Sequence, residues 1–440
     1  MTESEDTPTA QRPVTSPAEE KNDSAPTGEA TSAQEELPAQ TPESSTPQAV
    51  PAVVEQATVT ENATSAEQSQ LKEAQAKAPE NTHTAQAPAS PPFVGIEDLL
   101  ALRIASDPQI SPDGTQIAFT LTHCNGAKNT TGSSIWLTSS QGGKSEPARQ
   151  LTGDEHNDTQ PRWSPDGQTL AFLSDRSGSP QIYLLSLHGG EARQLSALPQ
   201  GVSEYSWRPD GSGLLAHSYW KLEDDQGSPT QQETSVYKRL DAHWDGMGHK
   251  QDRYLQLWLI PLQGQALRLT SEPVDLVQSC WSPDGNEVVF CANRRADPDL
   301  SVSMALWVLT ITTGQMRRLT AEDGLAQVPS WSPDGRSIAY LYTADQTEAG
   351  NYSPWIVAAD GSSAPQEAIP NANQLNCQCW IIDELRSEWL TRPLWTPDSQ
   401  SILVPVQERG QVHLSRLNLA TNQAELLTHG NGRYVSPAIS

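Results

Sequence analysis

An all-β architecture of repeated four-stranded sheets is predicted by three observations. A five-residue turn recurs six times, short alternating apolar runs flank each copy, and the closest copies lie 44 residues apart. That spacing matches the roughly 40 to 45 residues of one β-propeller blade. The copies are Ile110-Ser111-Pro112-Asp113-Gly114, Trp163 to Gly167, Trp207-Arg208-Pro209-Asp210-Gly211, Trp281 to Gly285, Trp331 to Gly335 and Trp395-Thr396-Pro397-Asp398-Ser399. Ser opens the turn, Pro fixes φ, Asp bonds its own backbone, and Gly takes positive φ. Arg208 replaces one Ser and Ser399 one Gly, where a left-handed residue costs roughly 1 to 2 kcal/mol.

The first 92 residues stand apart. They contain no Phe, Trp or Tyr, whereas all 26 aromatics come later, and they carry 15 acidic against 4 basic residues. Such a segment cannot bury enough apolar surface to offset its chain entropy, so 1–92 reads as a disordered acidic leader and 93–440 as the folded domain. It has no cationic start followed by an apolar run, and no stretch of the chain has the length and apolarity of a membrane span. A cytoplasmic location is expected. Over residues 94–106, apolar positions at helical spacing with acids near the start predict a short helix leading into the first repeat.

Each repeat then shows four apolar runs. The first ends in the turn's aromatic residue and the second follows the turn, as in Gln168 to Leu173. The third resembles Gln181-Ile182-Tyr183-Leu184-Leu185, and the fourth ends in Leu-Thr or Leu-Ser, as in Leu151-Thr152, Leu195-Ser196, Leu269-Thr270, Leu319-Thr320 and Leu427-Thr428. Four strands per repeat make one propeller blade. The turn-to-turn intervals are 53, 44, 74, 50 and 64 residues, so the longer ones hold loop insertions, chiefly at about 221–250 in the third blade and 371–387 before the sixth turn. Pro437-Ala438-Ile439-Ser440 matches the approach to a turn, and the expected ring is six blades plus a truncated seventh, the front part of a longer protein.

Net charge is −26, of which the leader supplies −11 and the remainder −15. A surface of that sign repels phosphate backbones and anionic lipid, which disfavours nucleic-acid and membrane partners. The five cysteines, an odd number without framework spacing, read as reduced thiols. Cys377 and Cys379 lack the two further ligands of a tetrahedral metal site. No Gly-x-Ser-x-Gly elbow, phosphate-binding Gly loop or His-Glu-x-x-His pair occurs, so no catalytic residue, metal or cofactor is expected. Three residues are candidates for substrate binding: Glu204, just before the third turn, and Asp175 with Arg176, which could act on a substrate terminus. Their competing readings are an exposed strand end and an ion pair fastening a loop. The tryptophan before each turn, repeated at nearly every blade, points to packing between blades rather than to an aromatic binding ladder.

From about 94 to 440 the chain resembles the amino-terminal propeller of the prolyl oligopeptidase family of serine peptidases, nearest the acylaminoacyl-peptidase-like branch. Glu97 to Leu100 running into Ser106 to Gly114, Ala171-Phe172-Leu173-Ser174-Asp175-Arg176, and Val236 to Leu240 with Asp245-Gly246 and Leu255 to Trp258 carry the resemblance. It implies a lid and filter over a C-terminal α/β-hydrolase domain that hydrolyses short peptides with a Ser, His and Asp beyond residue 440. A free-standing TolB-like interaction propeller is the alternative, since bare repeats of this turn also occur in propellers that only bind.

Overall fold

The computed structural model describes residues 95–439 apart from 96–97, 99, 127–129, 143–146, 222–242, 245–247, 250–252, 347–349, 380–389 and 435–436. The leader reading of 1–92 and the insertion residues 236–240 and 245–246 lie outside the described residues. Six antiparallel sheets of four strands follow one another along the chain. Blade 1 holds β1 (Arg103–Ile110), β2 (Gln116–Asn125), β3 (Thr130–Ser139) and β4 (Arg149–Gln150). Blade 2 holds β5 (Asp158–Trp163), β6 (Thr169–Ser174), β7 (Gln181–Ser186) and β8 (Arg193–Gln194). Blade 3 holds β9 (Glu204–Trp207) and β10 (Gly213–Lys221), then a separate two-stranded hairpin of β11 (His243–Trp244) and β12 (Gly248–His249), then β13 (Arg253–Pro261) and β14 (Leu267–Arg268). Blade 4 holds β15 (Val277–Trp281), β16 (Glu287–Ala292), β17 (Ala305–Thr310) and β18 (Met316–Arg318). Blade 5 holds β19 (Leu325–Trp331), β20 (Ser337–Thr343), β21 (Ser353–Ala358) and β22 (Gln366–Glu367). Blade 6 holds β23 (Leu394–Trp395), β24 (Ser401–Glu408), β25 (Gln411–Asn418) and β26 (Gln423–Leu426). Together they form a β-propeller ring. Residues 437–439, read as the start of a seventh blade, belong to no strand.

One expectation is corrected at the start of the ring. Residues 103–106 are strand, not helix, because Arg103 to Ser106 pair with His123 to Thr120 of β2. Among the described residues of 94–106, helical backbone occurs only at Asp98 and Leu100. Pairing to a neighbouring strand has overridden a local helical spacing.

The turns share one hydrogen-bond scheme. The first hydroxyl donates to the Asp carboxylate at 2.6 Å in Ser111–Asp113, Ser164–Asp166, Ser282–Asp284, Ser332–Asp334 and Thr396–Asp398. The same hydroxyl accepts the backbone N–H five residues on, starting the second strand. These bonds hold the carboxylates of all six turns below their ordinary range, with Ser212 as the hydroxyl donor to Asp210 in the Arg208 turn.

The Leu-Thr motif also has a defined task. Its hydroxyl accepts the backbone N–H of the third strand: Ile135 to Thr152 at 2.9 Å, Ile182 to Ser196 at 2.8 Å, Leu257 to Thr270 at 3.0 Å, Leu306 to Thr320 at 2.9 Å and Leu414 to Thr428 at 3.0 Å. Blade 5 lacks the motif for a reason visible in its sequence. The equivalent third-strand residue is Pro354, whose carbonyl accepts from Ala368 as the others accept from the motif Leu. Proline has no N–H, so Ile369 can stand where the hydroxyl would be.

The core lies between blades rather than within them. Five buried apolar clusters occupy the five spaces from blade 1/2 to blade 5/6; Leu170 and Phe172 of β6 pack with Ala118, Ile135 and Leu137 of blade 1, while Ala171 and Leu173 pack with Leu214 and Ala216 of blade 3. The second strands of blades 2 to 5 are therefore covered on both faces and read as continuous apolar runs instead of alternating ones. The turn tryptophans stitch successive blades. Nε1 of Trp163, Trp207 and Trp395 donates to the carbonyls of Gln109, Arg162 and Ser330 in the preceding blade at 2.9, 3.0 and 3.0 Å.

Candidate functional site

Antiparallel strands send their links alternately to the two faces of the ring. The Pro-Asp-Gly turns and the hairpins between third and fourth strands share one face. Links between second and third strands, and from one blade to the next, share the other, here called the loop face. Both long insertions leave from the loop face, one between β10 and β13 and the other between β22 and β23. The three sequence candidates are on that side too: Asp175 and Arg176 follow β6, and Glu204 opens β9.

Asp175 and Arg176 fasten the loop that carries them. Asp175 accepts the backbone N–H of Asn157 at 3.0 Å and its side-chain amide at 2.8 Å. Arg176 donates to both carboxylate oxygens of Asp158 at 3.1 and 2.9 Å and from Nε to Ser174 Oγ at 2.8 Å, and lies over the rings of Tyr183 and Phe172. The Asp158 side chain is 1% exposed, so this pair is internal structure.

Glu204 belongs to a different arrangement. First strands of successive blades lie against one another, which places them innermost. In blades 1, 2, 4 and 5 these strands carry a bulge four residues before the turn, with Asp107, Gln160, Gln278 and Val328 at φ of 50, 54, 55 and 48°. The same position is Glu204 in blade 3 and Arg392 in blade 6, neither at positive φ. Arg392 Nη2 reaches Glu204 Oε1 at 3.9 Å and donates to the Ser279 carbonyl of blade 4 at 2.9 Å. Blades 4 and 5 intervene between blades 3 and 6, so this pair spans the lumen. Beside it, Arg162 donates to Asp107 at 2.6 Å, and Tyr205 donates to the Gln160 carbonyl at 2.6 Å. Burial, the largest single influence, would lower the Arg162 pKa, but Asp107, Tyr205 and Glu204 together outweigh it and the guanidinium is held more firmly charged. The lumen thus carries two carboxylates and two guanidiniums in alternation. Sequence reasoning missed Arg392, although counting back four residues from each turn gives Asp, Gln, Glu, Gln, Val and Arg, five polar residues out of six in strands that bury their neighbours.

Directly behind Glu204, its cross-strand partner His217 bonds Ser279 Oγ through Nε2 at 2.6 Å. The contact lacks the parts of a catalytic dyad. His217 and Ser279 are buried at 1% and 5% exposure, and no carboxylate bonds His217 Nδ1. Burial lowers the histidine's pKa and keeps it neutral. The buried thiols are equally unsuited to nucleophilic work, since burial raises Cys291 and Cys377 and pushes Cys379 up to about 11. Among the described residues, no group of three or more His, Cys, Asp and Glu could hold a metal ion, and no helix is long and apolar enough to cross a membrane.

Residues 101–229 match the family model of the TolB beta propeller domain. Residues 101–229 are TolB-like, and the six sheets they begin form a β-propeller. Within that class, the propeller is 36% identical over 229 residues to the uncharacterized peptidase YuxL of Bacillus subtilis, a match covering 49% of this chain and 34% of that protein. In fold it is similar to a puromycin-hydrolyzing peptidase of Mycobacterium tuberculosis, with a TM-score of 0.56 and 14% identity over 77% of this chain and 48% of that one. It is likewise similar to the acylaminoacyl peptidase of Pyrococcus horikoshii, with a TM-score of 0.54 and 17% identity over 76% and 47% of the two chains. The propeller therefore spans a third to a half of the length of these proteins. They bear out the resemblance to a prolyl oligopeptidase-family amino-terminal propeller read from the turns and strands.

Proposed function

We propose that this propeller is the non-catalytic lid and substrate filter of a serine-type peptidase that acts on short peptides. The observation that carries the reading is the 36% identity to a peptidase over the blades. The loop face supports it in physical terms, because both insertions and the charged lumen residues open there, where a second domain would meet the ring. On this reading the hydrolysis belongs to an α/β-hydrolase domain that supplies Ser, His and Asp, with acyl transfer to the serine and an oxyanion hole. The ring contributes exclusion, admitting extended short chains and refusing folded ones.

The test uses a fluorophosphonate probe and peptide p-nitroanilides of increasing length on two samples: the 440-residue chain and the product of its whole gene. The expected outcome is labelling and turnover in the whole product, declining with peptide length, and neither in the 440-residue chain. A labelled serine within residues 1–440 overturns the proposal. A second reading, an interaction module similar to TolB, is favoured by the family match over residues 101–229. It predicts a whole product without labelling that retains a stable protein partner.

A further inference from the structure

Guanidinium–carboxylate pairs in this ring are mostly close. Arg162–Asp107 is 2.6 Å, Arg294–Glu272 is 2.7 Å, and Arg176 engages both oxygens of Asp158. Arg392–Glu204 departs from them at 3.9 Å, outside hydrogen-bond distance. Arg392 is nonetheless held in place, because its Nη2 is fixed on the Ser279 carbonyl at 2.9 Å and its side chain is only 29% exposed. A planar fork of five N–H donors is thus anchored at one corner, faces the lumen and, among the described residues, has its nearest carboxylate too far away to use it. Among the described residues, none donates a hydrogen bond to the Glu204 carboxylate, whose ion-pair partner is Arg392 at 3.9 Å. The other lumen carboxylate, Asp107, is taken by Arg162.

We propose that Arg392 is a carboxylate-recognition residue of the lumen, loosely occupied in the resting ring by Glu204, and that its ligand is the C-terminal carboxylate of a short peptide. A ligand carboxylate would meet the fork with two parallel N–H donors, the geometry in which guanidinium–carboxylate pairs are strongest. Displacing Glu204 costs little, since half-exposed pairs of this kind contribute little to stability. A single carboxylate fits better than a phosphate, because the folded part of the chain carries a net −15 and disfavours polyanions. The choice of a peptide as bearer rests on the peptidase reading; the carboxylate rests on the geometry alone.

The experiment compares N-acetyl-Ala-Ala-Ala as free acid and as carboxamide by titration calorimetry on the 440-residue chain, with the acetyl group removing any role for an amine. The acid is expected to bind about tenfold or more tighter than the amide, as one charge-assisted contact requires. Arg392→Gln should erase that difference, Arg392→Lys should keep part of it, and Glu204→Gln should tighten the acid by ~2- to 5-fold through loss of the competing carboxylate. Cooperative unfolding monitored alongside establishes that each variant is folded, and Glu204→Gln supplies an arm that leaves Arg392 intact. Equal binding of acid and amide, binding of neither, or an acid preference that survives Arg392→Gln overturns the proposal. None of these results bears on fluorophosphonate labelling of the whole gene product, so the two readings fail separately.

Discussion

Thr320→Val is the sharpest perturbation of the blade architecture, because it exchanges one hydroxyl for one methyl at nearly constant shape. Thr320 Oγ1 accepts the N–H of Leu306 at 2.9 Å, and Thr320 and Leu306 are 6% and 0% exposed. Valine has the same branching and suits a strand, so the backbone and volume are kept while the Leu306 N–H loses its acceptor away from water. Leaving a buried donor unmade costs about 1 to 3 kcal/mol. Thr320→Ser is the control: it keeps the acceptor and loses one methyl, about 0.8 kcal/mol. Ser196 already fills this place in blade 2 at 2.8 Å. Urea unfolding followed by tryptophan fluorescence should therefore rank wild type above Ser above Val, although valine is the most apolar of the three. Ile369→Thr supplies a blank. Blade 5 offers Pro354 and no donor, so a hydroxyl there gains nothing and loses buried apolar surface. A Val variant as stable as the Ser variant would refute the reasoning, since apolar burial alone would then account for the position.

Ser399 takes φ of 57° where the other turns have glycine, and its Oγ accepts the Asp334 N–H at 3.1 Å. Ser399→Gly should stabilise by about 0.5 to 1 kcal/mol in the same urea assay, the relief of left-handed backbone exceeding the loss of an exposed hydrogen bond. Arg176→Met leaves the Asp158 carboxylate buried without its cation, and a loss of about 3 to 5 kcal/mol is expected, reduced when Asp158→Asn is added; a neutral result would return Arg176 to the substrate-binding candidates. All six turn carboxylates have depressed pKa values in the fold. Their stabilisation is therefore complete above the ordinary carboxylate pKa of 3.8 and is lost as pH falls through the lowered values. Unfolding at pH values below 3.8 should take up protons, and Asp166→Asn should shallow that dependence of the urea midpoint.

The parts of this fold that were legible in the sequence are those decided within one repeat. Ser-Pro-Asp-Gly specifies its turn through side chains two to five residues apart, and Leu-Thr ends a strand by reaching the strand before it, so both print themselves at fixed spacing. The bulges left no such mark. Gln160 and Val328 take left-handed backbone because of a register shift against β6 and β20, and nothing in either side chain asks for it. Residues 103–106 went astray for a related reason: their spacing suited a helix, while β2 offered a partner that local spacing does not reveal. Glu204 could be flagged from its place before a turn. Its counterpart Arg392 could not, because the two are brought together by the curvature of the ring across blades that no sequence interval connects.

The repeat position shared by Glu204 and Arg392 also bears on why blades 3 and 6 differ from the rest. In blades 1, 2, 4 and 5 the position is spent on a bulge, and three of its side chains serve neighbouring blades: Asp107 receives Arg162, Gln160 Nε2 donates to the Ser203 carbonyl at 3.0 Å, and Gln278 Oε1 receives the Val328 N–H at 2.8 Å. Blade 3 has no bulge, and Glu204 pairs in regular register with His217. In blade 6 the position precedes the two-residue strand β23. These are also the two blades beside the insertions, one interrupting blade 3 after β10 and the other running directly into Arg392. A side chain that closes a seam between neighbours is tied to the stability of the ring. One that faces across the lumen, on a blade whose loop has been lengthened at the same face, is free to vary with what enters there. The two departures from the repeat thus fall together beside the lengthened loops, Glu204 in regular register with His217 and Arg392 tied to blade 4 through the Ser279 carbonyl.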